Sequence, residues 1–197
     1  VRLTVLRRPS DRDLALALAE PADNGRDLQR LRDAGLLQEE VDRDERGQEI
    51  ARRFEVHPVV AGLARQLAGA DWETWRREGC RLAGDFFDRR LEAASQKDAV
   101  EMLDAGHYLV AAGEADRGSE WLGHLAEWSA GRGLMAQALF SLGPLLSDTV
   151  RQALGPQNQV RVSVVVAGCH EGFGNLEAAT KELRRAVALA ERLARQD

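Results

Sequence analysis

Apolar residues recur every three or four positions near the start of the chain, which is the spacing of one face of a helix. Leu14, Ala17 and Leu18 form such a face. Ser10, with an acidic residue three positions later, predicts the N-cap of this helix, and Pro21 predicts its end. The first element is therefore expected to be a short amphipathic helix.

A second helix is predicted from Arg26, with its apolar residues facing inward and Gly35 as a left-handed cap. Residues 36–38 then predict a short strand, and the charged segment 40–51 predicts a loop. Phe54 and Val56 alternate with charged residues, which indicates a returning strand. The apolar positions of the second helix are Leu28, Leu31 and Ala34.

Pro58 fits the first turn of a further helix, where a missing amide hydrogen costs nothing. Val60, Leu63 and Leu67 would lie on one face of that helix. Residues 1–70 are thus expected to form one small domain with a single β-hairpin.

From Asp71 onward every segment has a helical pattern, and residues 71–197 are expected to form a second domain. Its first long helix would bury Trp72, Trp75, Gly79, Leu82 and Phe86, which recur at spacings of three and four. The predicted fold class is therefore mainly α, with one small hairpin near the start.

Two later segments share one pattern of small and large residues, which predicts two helical pairs of the same design. The segments are 99–132 and 160–193, and the intervening residues, which include Gly143-Pro144, predict one irregular pair. The total is about three helical pairs. The shared positions are Gly106, Leu109, Gly113, Gly118, Leu122 and Leu125 in the first segment, and Ala167, His170, Gly174, Ala179, Leu183 and Ala186 in the second.

The first 70 residues resemble a known module. The segments 28–38 and 53–60, the latter reading Arg-Phe-Glu-Val-His-Pro-Val-Val, resemble the winged-helix module of bacterial STAND-type signalling ATPases. This resemblance implies that, in a complete ATPase, His57 would contact the nucleotide β-phosphate and sense bound ADP. The alternative is that His57 only caps the helix that begins at Pro58. The chain has no G-x-x-x-x-G-K-[ST] segment, so no cofactor is expected to bind this chain alone.

The two later segments resemble tetratricopeptide repeats, in which stacked helical pairs form a groove that binds peptide segments. Gly106 and Ala167 would face the second helix of their own pair. Residues one helical step away would then face the groove. These groove residues are His107, Val110, Ala111, Arg161, Val164 and Glu171. An array without a capping helix would leave an apolar end that favours self-association.

Charge disfavours specific binding to DNA. The chain carries 27 basic and 32 acidic residues, for a net charge of −5. The hairpin region alone has six carboxylates against two arginines, which would repel a phosphate backbone. Protein or peptide partners are therefore favoured over nucleic acid.

No catalytic or metal-binding pattern is present in the sequence. The four histidines are dispersed, and Cys80 and Cys169 form no zinc-ligand or disulfide framework. No apolar run is long enough for a membrane span, and a reducing, cytoplasmic compartment is expected. The start at Val1, within an apolar pattern, suggests a piece of a longer protein.

The sequence therefore predicts a non-catalytic protein-interaction module. It would be the sensor or autoinhibitory part of a larger STAND-type ATPase. The alternative is a winged-helix transcriptional regulator with a tetratricopeptide effector domain.

Overall fold

The computed structural model describes residues 2–18 and 26–195. The fold is mainly α-helical, with a small three-stranded antiparallel sheet near the N-terminus. The chain divides into two compact units, Val1–Phe86 and Phe87–Asp197, and the division falls within the helix Trp72–Ala93, after the boundary predicted near residue 70.

The first unit combines the sheet with short helices. A 3₁₀ turn at Arg2–Val5 precedes the regular elements, and the strands pair in the order β1-β3-β2. The elements are β1 (Ser10–Asp11), α1 (Arg12–Leu18), α2 (Arg26–Asp33), β2 (Leu37–Arg43), β3 (Glu49–Val56), α3 (Pro58–Ala68) and α4 (Trp72–Ala93).

The start of α1 differs from the prediction by one residue. Ser10 is not the N-cap, because it lies in β1 opposite Phe54. The carboxylate of Asp11 instead accepts a hydrogen bond from the Leu14 amide at 2.8 Å. The serine was a plausible cap, but pairing of its backbone with β3 shifts the helix start. The predicted end at Pro21 lies outside the described residues.

The end of α2 agrees with the prediction. Gly35 adopts a left-handed conformation at φ 69°, and the Leu36 amide then donates to the Leu31 carbonyl at 2.9 Å. Leu28 is buried, whereas Ala34 is exposed because it lies beyond the last helical residue.

The hairpin is longer than the sequence suggested, and β1 adds a third strand to it. Most of the segment that we expected to be a loop is strand, and only the turn around Asp44 and Gly47 lies outside β2 and β3. The carboxylate of Asp44 accepts hydrogen bonds from the amides of Arg46 and Gln48. Charged residues can occupy this part of the strands because both faces of the hairpin tip contact solvent.

The buried face of α4 is shifted by about one residue from the predicted face. Only Gly79 of the predicted set is fully buried, close to the Val5 side chain and the Arg2 carbonyl. Trp75 is 39% exposed. A large aromatic ring can lie at the edge of a core and still bury most of its apolar surface. The fully buried apolar residues of α4 are Cys80, Ala83, Phe87 and Leu91.

The second unit consists of helices that pack on their sequence neighbours. Its elements after α4 are α5 (Ala99–Ala112), α6 (Ala115–Ala130), α7 (Met135–Leu142), α8 (Asp148–Ala153), α9 (Pro156–Gly172) and α10 (Leu176–Leu193), with a 3₁₀ turn at Gly143–Leu145. Helices α6, α7 and α9 share one apolar core that includes Leu122, Leu142 and Val166.

Close contact between glycines joins α5 to α6, as the repeated pattern predicts. A Cβ on Gly106 would lie 2.3 Å from Leu122 Cγ, and a Cβ on Gly118 would lie 2.8 Å from the Gly106 carbonyl oxygen. Gly113 ends α5 at φ 92°. These contacts leave no room for larger residues, which is why the small residues lie where the helices cross.

The segment between α6 and α9 differs from the expected irregular pair. Helix α7 packs against α6 and α9, and α8 packs against α6. The Asp116 carboxylate at the start of α6 accepts hydrogen bonds from Gly155 and Asn158 at the start of α9. Helices α7 and α8 therefore carry the chain once from the end of α6 back to its start.

The pair α9/α10 follows the predicted pattern except at one residue. Ala167, Ala179 and Ala186 are buried, and Gly174 makes the turn at φ 75°. Leu183 was expected in the same contact, but it is 46% exposed because no later helix covers that side of α10 among the described residues.

Candidate protein-interaction surfaces

His57 lies at the junction of β3 and α3, where its ring caps the helix. Its Nδ1 accepts a hydrogen bond from the Val59 amide at 3.2 Å, and the following Pro58 occupies the first helical turn. This geometry is that of the capping alternative. A role in nucleotide sensing stays a prediction.

Carboxylates of the hairpin form ion pairs with arginines of the hairpin and of α2. The Glu39 carboxylate contacts Arg32 at 2.9 Å and Arg52 at 2.6 Å. Arg52 also binds Glu49 at 2.7 Å, and this hydrogen-bonded arginine lowers the pKa of Glu49. Because these cations already bind carboxylates, few of the hairpin charges are available to a polyanion.

The predicted groove residues of α5 are only partly accessible. His107 and Ala111 are half-buried. Val110 packs against α6, because a Cβ on Gly118 would lie 2.7 Å from Val110 Cγ2. Val110 also contacts the apolar core shared by α6, α7 and α9, so its side chain contributes mainly to packing.

Arg161 on α9 contacts α6 rather than lying on an open surface. Its Nε and Nη2 donate to the two carboxylate oxygens of Glu127 at 2.6 and 2.7 Å. The pair lowers the pKa of Glu127 and raises that of Arg161 through this hydrogen bonding. The guanidinium also lies against Gly123, where a Cβ would be 3.2 Å from Arg161 Cζ. Arg161 therefore links two helices.

The remaining predicted residues of α9 lie on its outer face. Val164 is 49% exposed, and Gly168 and Glu171 are exposed beside it at spacings of four and three. A Cβ on Gly168 would meet nothing within 4 Å. We call Val164, Gly168 and Glu171 the α9 outer face.

A second exposed surface, on α10, was not identified from the sequence. Leu176, Leu183 and Val187 are 65%, 46% and 55% exposed, and they lie on one side of the helix. The signal was present, because α10 carries two apolar stripes. One stripe contains the buried Ala179 and Ala186, and the other stripe is this exposed one.

Other polar clusters hold the second unit together. Asp88 accepts hydrogen bonds from Trp121 Nε1 at 2.6 Å and from Arg117, and Lys97 Nζ lies 4.4 Å from the Trp121 ring centroid. Arg151, on α8, is buried and donates to both carboxylate oxygens of Glu182 on α10 at 2.9 and 3.0 Å. The polar groups of these two clusters therefore contact one another and stabilise the packing of the second unit.

Cys80 and Cys169 are free and buried, and burial raises the pKa of both thiols. Within residues 2–18 and 26–195, no three His, Cys, Asp or Glu side chains are grouped so as to hold a metal ion. In the same ranges, no helix has both the length and the apolar character needed to cross a membrane.

The chain matches no protein-family model, no curated protein and no solved structure in comparisons with known proteins.

Proposed function

We propose that this chain is a non-catalytic regulatory module that binds a protein or peptide. In this proposal residues 1–70 are a winged helix and residues 71–197 are a tetratricopeptide-like array. The module would be the sensor or autoinhibitory part of a larger STAND-type ATPase.

The order of elements supports the first half of this proposal. Two short helices, α1 and α2, are followed by the β2–β3 hairpin and by α3, and β1 pairs with β3 to complete a small sheet. This order is consistent with a winged helix. The segment that resembles the ATPase module, 53–60, forms the junction between β3 and α3.

Two antiparallel helical pairs, α5/α6 and α9/α10, support the second half. Each pair has small residues at its crossing and a left-handed glycine near its turn, at Gly113 and Gly174. Helical pairs of this design expose the outer faces of their first helices, where extended segments can bind.

The observation that carries the proposed binding role is the α9 outer face. Val164 offers an apolar contact, Gly168 lets a backbone approach closely, and Glu171 offers a negative charge. The partner chemistry that fits is an extended peptide with one apolar anchor and a basic residue two or three positions away.

The alternative, a transcriptional regulator that binds DNA, is supported less well. Arg52 and Arg53 of β3 bind carboxylates of the hairpin, with Arg53 at 2.9 Å from Asp42. A winged helix that reads DNA needs such cations to neutralise phosphates.

A phage-displayed peptide library selected on the wild-type chain tests the binding role. We expect the selected peptides to bind the wild type and to lose binding to the Val164→Glu variant. Val100→Glu is the matched control, because it changes another exposed valine, at the start of α5, in the same way. Selected peptides that bind Val164→Glu as well as the wild type would contradict the proposed site, as would a library that yields no binder.

The ATPase context has its own test in the gene. A phosphate-binding loop encoded upstream of Val1 would support that context. A start codon directly before Val1 would refute it and leave the peptide-binding role to its own experiment.

A further inference from the structure

The exposed stripe of α10 has the spacing of a coiled-coil seam. Its members recur at alternating steps of four and three, which is the a/d pattern of a heptad repeat. All six are exposed, although five of them are apolar. We call them the α10 outer stripe: Leu176, Thr180, Leu183, Val187, Ala190 and, at the C-cap, Ala194.

Comparison with α6 indicates what kind of surface covers this stripe. The pattern of α5/α6 recurs in α9/α10 after 61 residues, so Leu176, Leu183 and Val187 correspond to Ala115, Leu122 and Ala126. Those three residues of α6 are buried in the core that α6 shares with α7 and α9, and Leu122 also lies against Gly106 of α5. On α6 the equivalent face is thus covered by helices, and one of them, α7, returns along α6 after a short turn.

The charges beside the stripe indicate which helix would bind there. Glu177, Arg184 and Glu191 follow one another at seven-residue spacing along one edge, and all three are exposed. The opposite edge contains the small buried residues Ala179 and Ala186, which face α9. A parallel copy of α10 would place the charged edge against an apolar edge. An antiparallel copy, related by a twofold axis, places the charged edge against itself in reverse order.

In that antiparallel arrangement, positive and negative side chains of the two charged edges can lie opposite one another. Arg184 of each copy can lie opposite Glu191 of the other copy, and the twofold axis gives this ion pair twice. We propose that the α10 outer stripe binds the same stripe of a second copy of this chain, in antiparallel orientation. This interface is separate from the α9 outer face. Because a single pair of helices forms a small interface, we expect the dimer to have a dissociation constant in the micromolar range.

Sedimentation equilibrium from low micromolar to several hundred micromolar chain tests the proposal. The wild-type mass should rise from one to two chains across this range. Leu183→Glu should remain monomeric throughout, with circular dichroism unchanged. A wild-type chain that stays monomeric at several hundred micromolar would overturn the proposal and leave the stripe to a different partner. So would a dimer that Leu183→Glu does not weaken.

Two charge variants test the antiparallel orientation without touching the apolar residues. Arg184→Glu brings four glutamates together across the interface, and Glu191→Arg brings four arginines together. Each variant alone should therefore dimerise at least tenfold more weakly. An equimolar mixture should recover the wild-type affinity, because each glutamate pair then faces an arginine pair. Lys181→Glu, a charge reversal on α10 outside this row, is the control and should behave as wild type. A mixture that stays as weak as the separate variants would overturn the antiparallel pairing.

Discussion

Gly106 is the residue at which the second unit is most sensitive to added volume. A methyl group there would lie 2.3 Å from Leu122 Cγ and 3.1 Å from the Gly118 carbonyl oxygen. We expect Gly106→Ala to lower the free energy of unfolding by about 1–3 kcal/mol through overpacking. Gly168→Ala is the control, because that position in α9 is open and alanine favours helix by up to about 1 kcal/mol. Urea denaturation measures both changes, and equal stability of the two variants would show that α5 and α6 separate at little cost.

The ion pair between Arg161 and Glu127 gives the second unit a pH-dependent contribution to stability. Hydrogen bonding to Arg161 lowers the pKa of Glu127 below its unfolded value. The pair therefore stabilises the fold above the unfolded-state pKa, and this contribution falls as pH drops through the lower folded-state pKa. We expect Glu127→Gln to cost about 0.5–1 kcal/mol near pH 7 and almost nothing near pH 2. Unfolding curves of wild type and variant that differ equally at both pH values would contradict this role.

The same pair changes what a charge reversal on α9 does. Arg161→Glu places a second carboxylate beside that of Glu127 in place of the guanidinium, so this variant should be destabilised. A residue on an open groove would tolerate the same charge reversal. The exposed Val164 and Glu171 are the better positions at which to alter binding alone.

At the scale of elements, the buried contact of Arg151 with Glu182 links α8 to α10. Both side chains are largely buried, at 8% and 16% exposure, and the Nε of Arg151 has no hydrogen-bond partner among the described residues. Glu182→Ala would leave a buried guanidinium without its carboxylate, which we expect to cost about 3–5 kcal/mol. Glu191→Ala, also on α10, should cost less than about 0.5 kcal/mol, since its contact with Arg195 is exposed and long at 3.7 Å. Thermal unfolding of the two variants provides the comparison, and similar losses would mean that Arg151 relaxes into solvent.

The start of α3 depends on an uncommon N-cap residue. Asn and Ser cap helices better than most side chains, so His57→Asn should preserve stability, and His57→Ala should lower it by about 0.5–1 kcal/mol. Urea denaturation checks this order. If His57→Ala were as stable as His57→Asn, the hydrogen bond to the Val59 amide would not contribute to the fold.

Elements that close packing or helix phase determines could be predicted from the sequence, and elements that depend on exposure or on a distant partner could not. The α5/α6 crossing was predictable, because only Gly106 and Gly118 fit between the two backbones. The ends of β2 and β3 were not predictable, because the charged residues of an exposed hairpin show no alternation of apolar and polar positions. In the candidate site, the exposure of Val164 followed from helix phase. The role of Arg161 did not, because its partner Glu127 lies 34 residues away on another helix.

At the scale of the whole molecule, the chain should not bind nucleotides. It has no phosphate-binding loop, and the ring of His57 is directed to the backbone of α3. Isothermal titration of ADP and of ATP into the chain should give no heat beyond dilution. A saturable signal that His57→Ala removes would contradict this expectation and would make the histidine a nucleotide ligand in the isolated chain.

The two buried thiols give each compact unit its own internal reporter of opening. Cys80 belongs to Val1–Phe86 and Cys169 to Phe87–Asp197, and neither thiol can react with a labelling reagent until the packing around it breaks. The rate of modification at each thiol therefore measures how often its unit opens under native conditions. Because the chain has only these two cysteines, single Cys→Ser variants separate the two rates, and their ratio shows whether the units open together or independently.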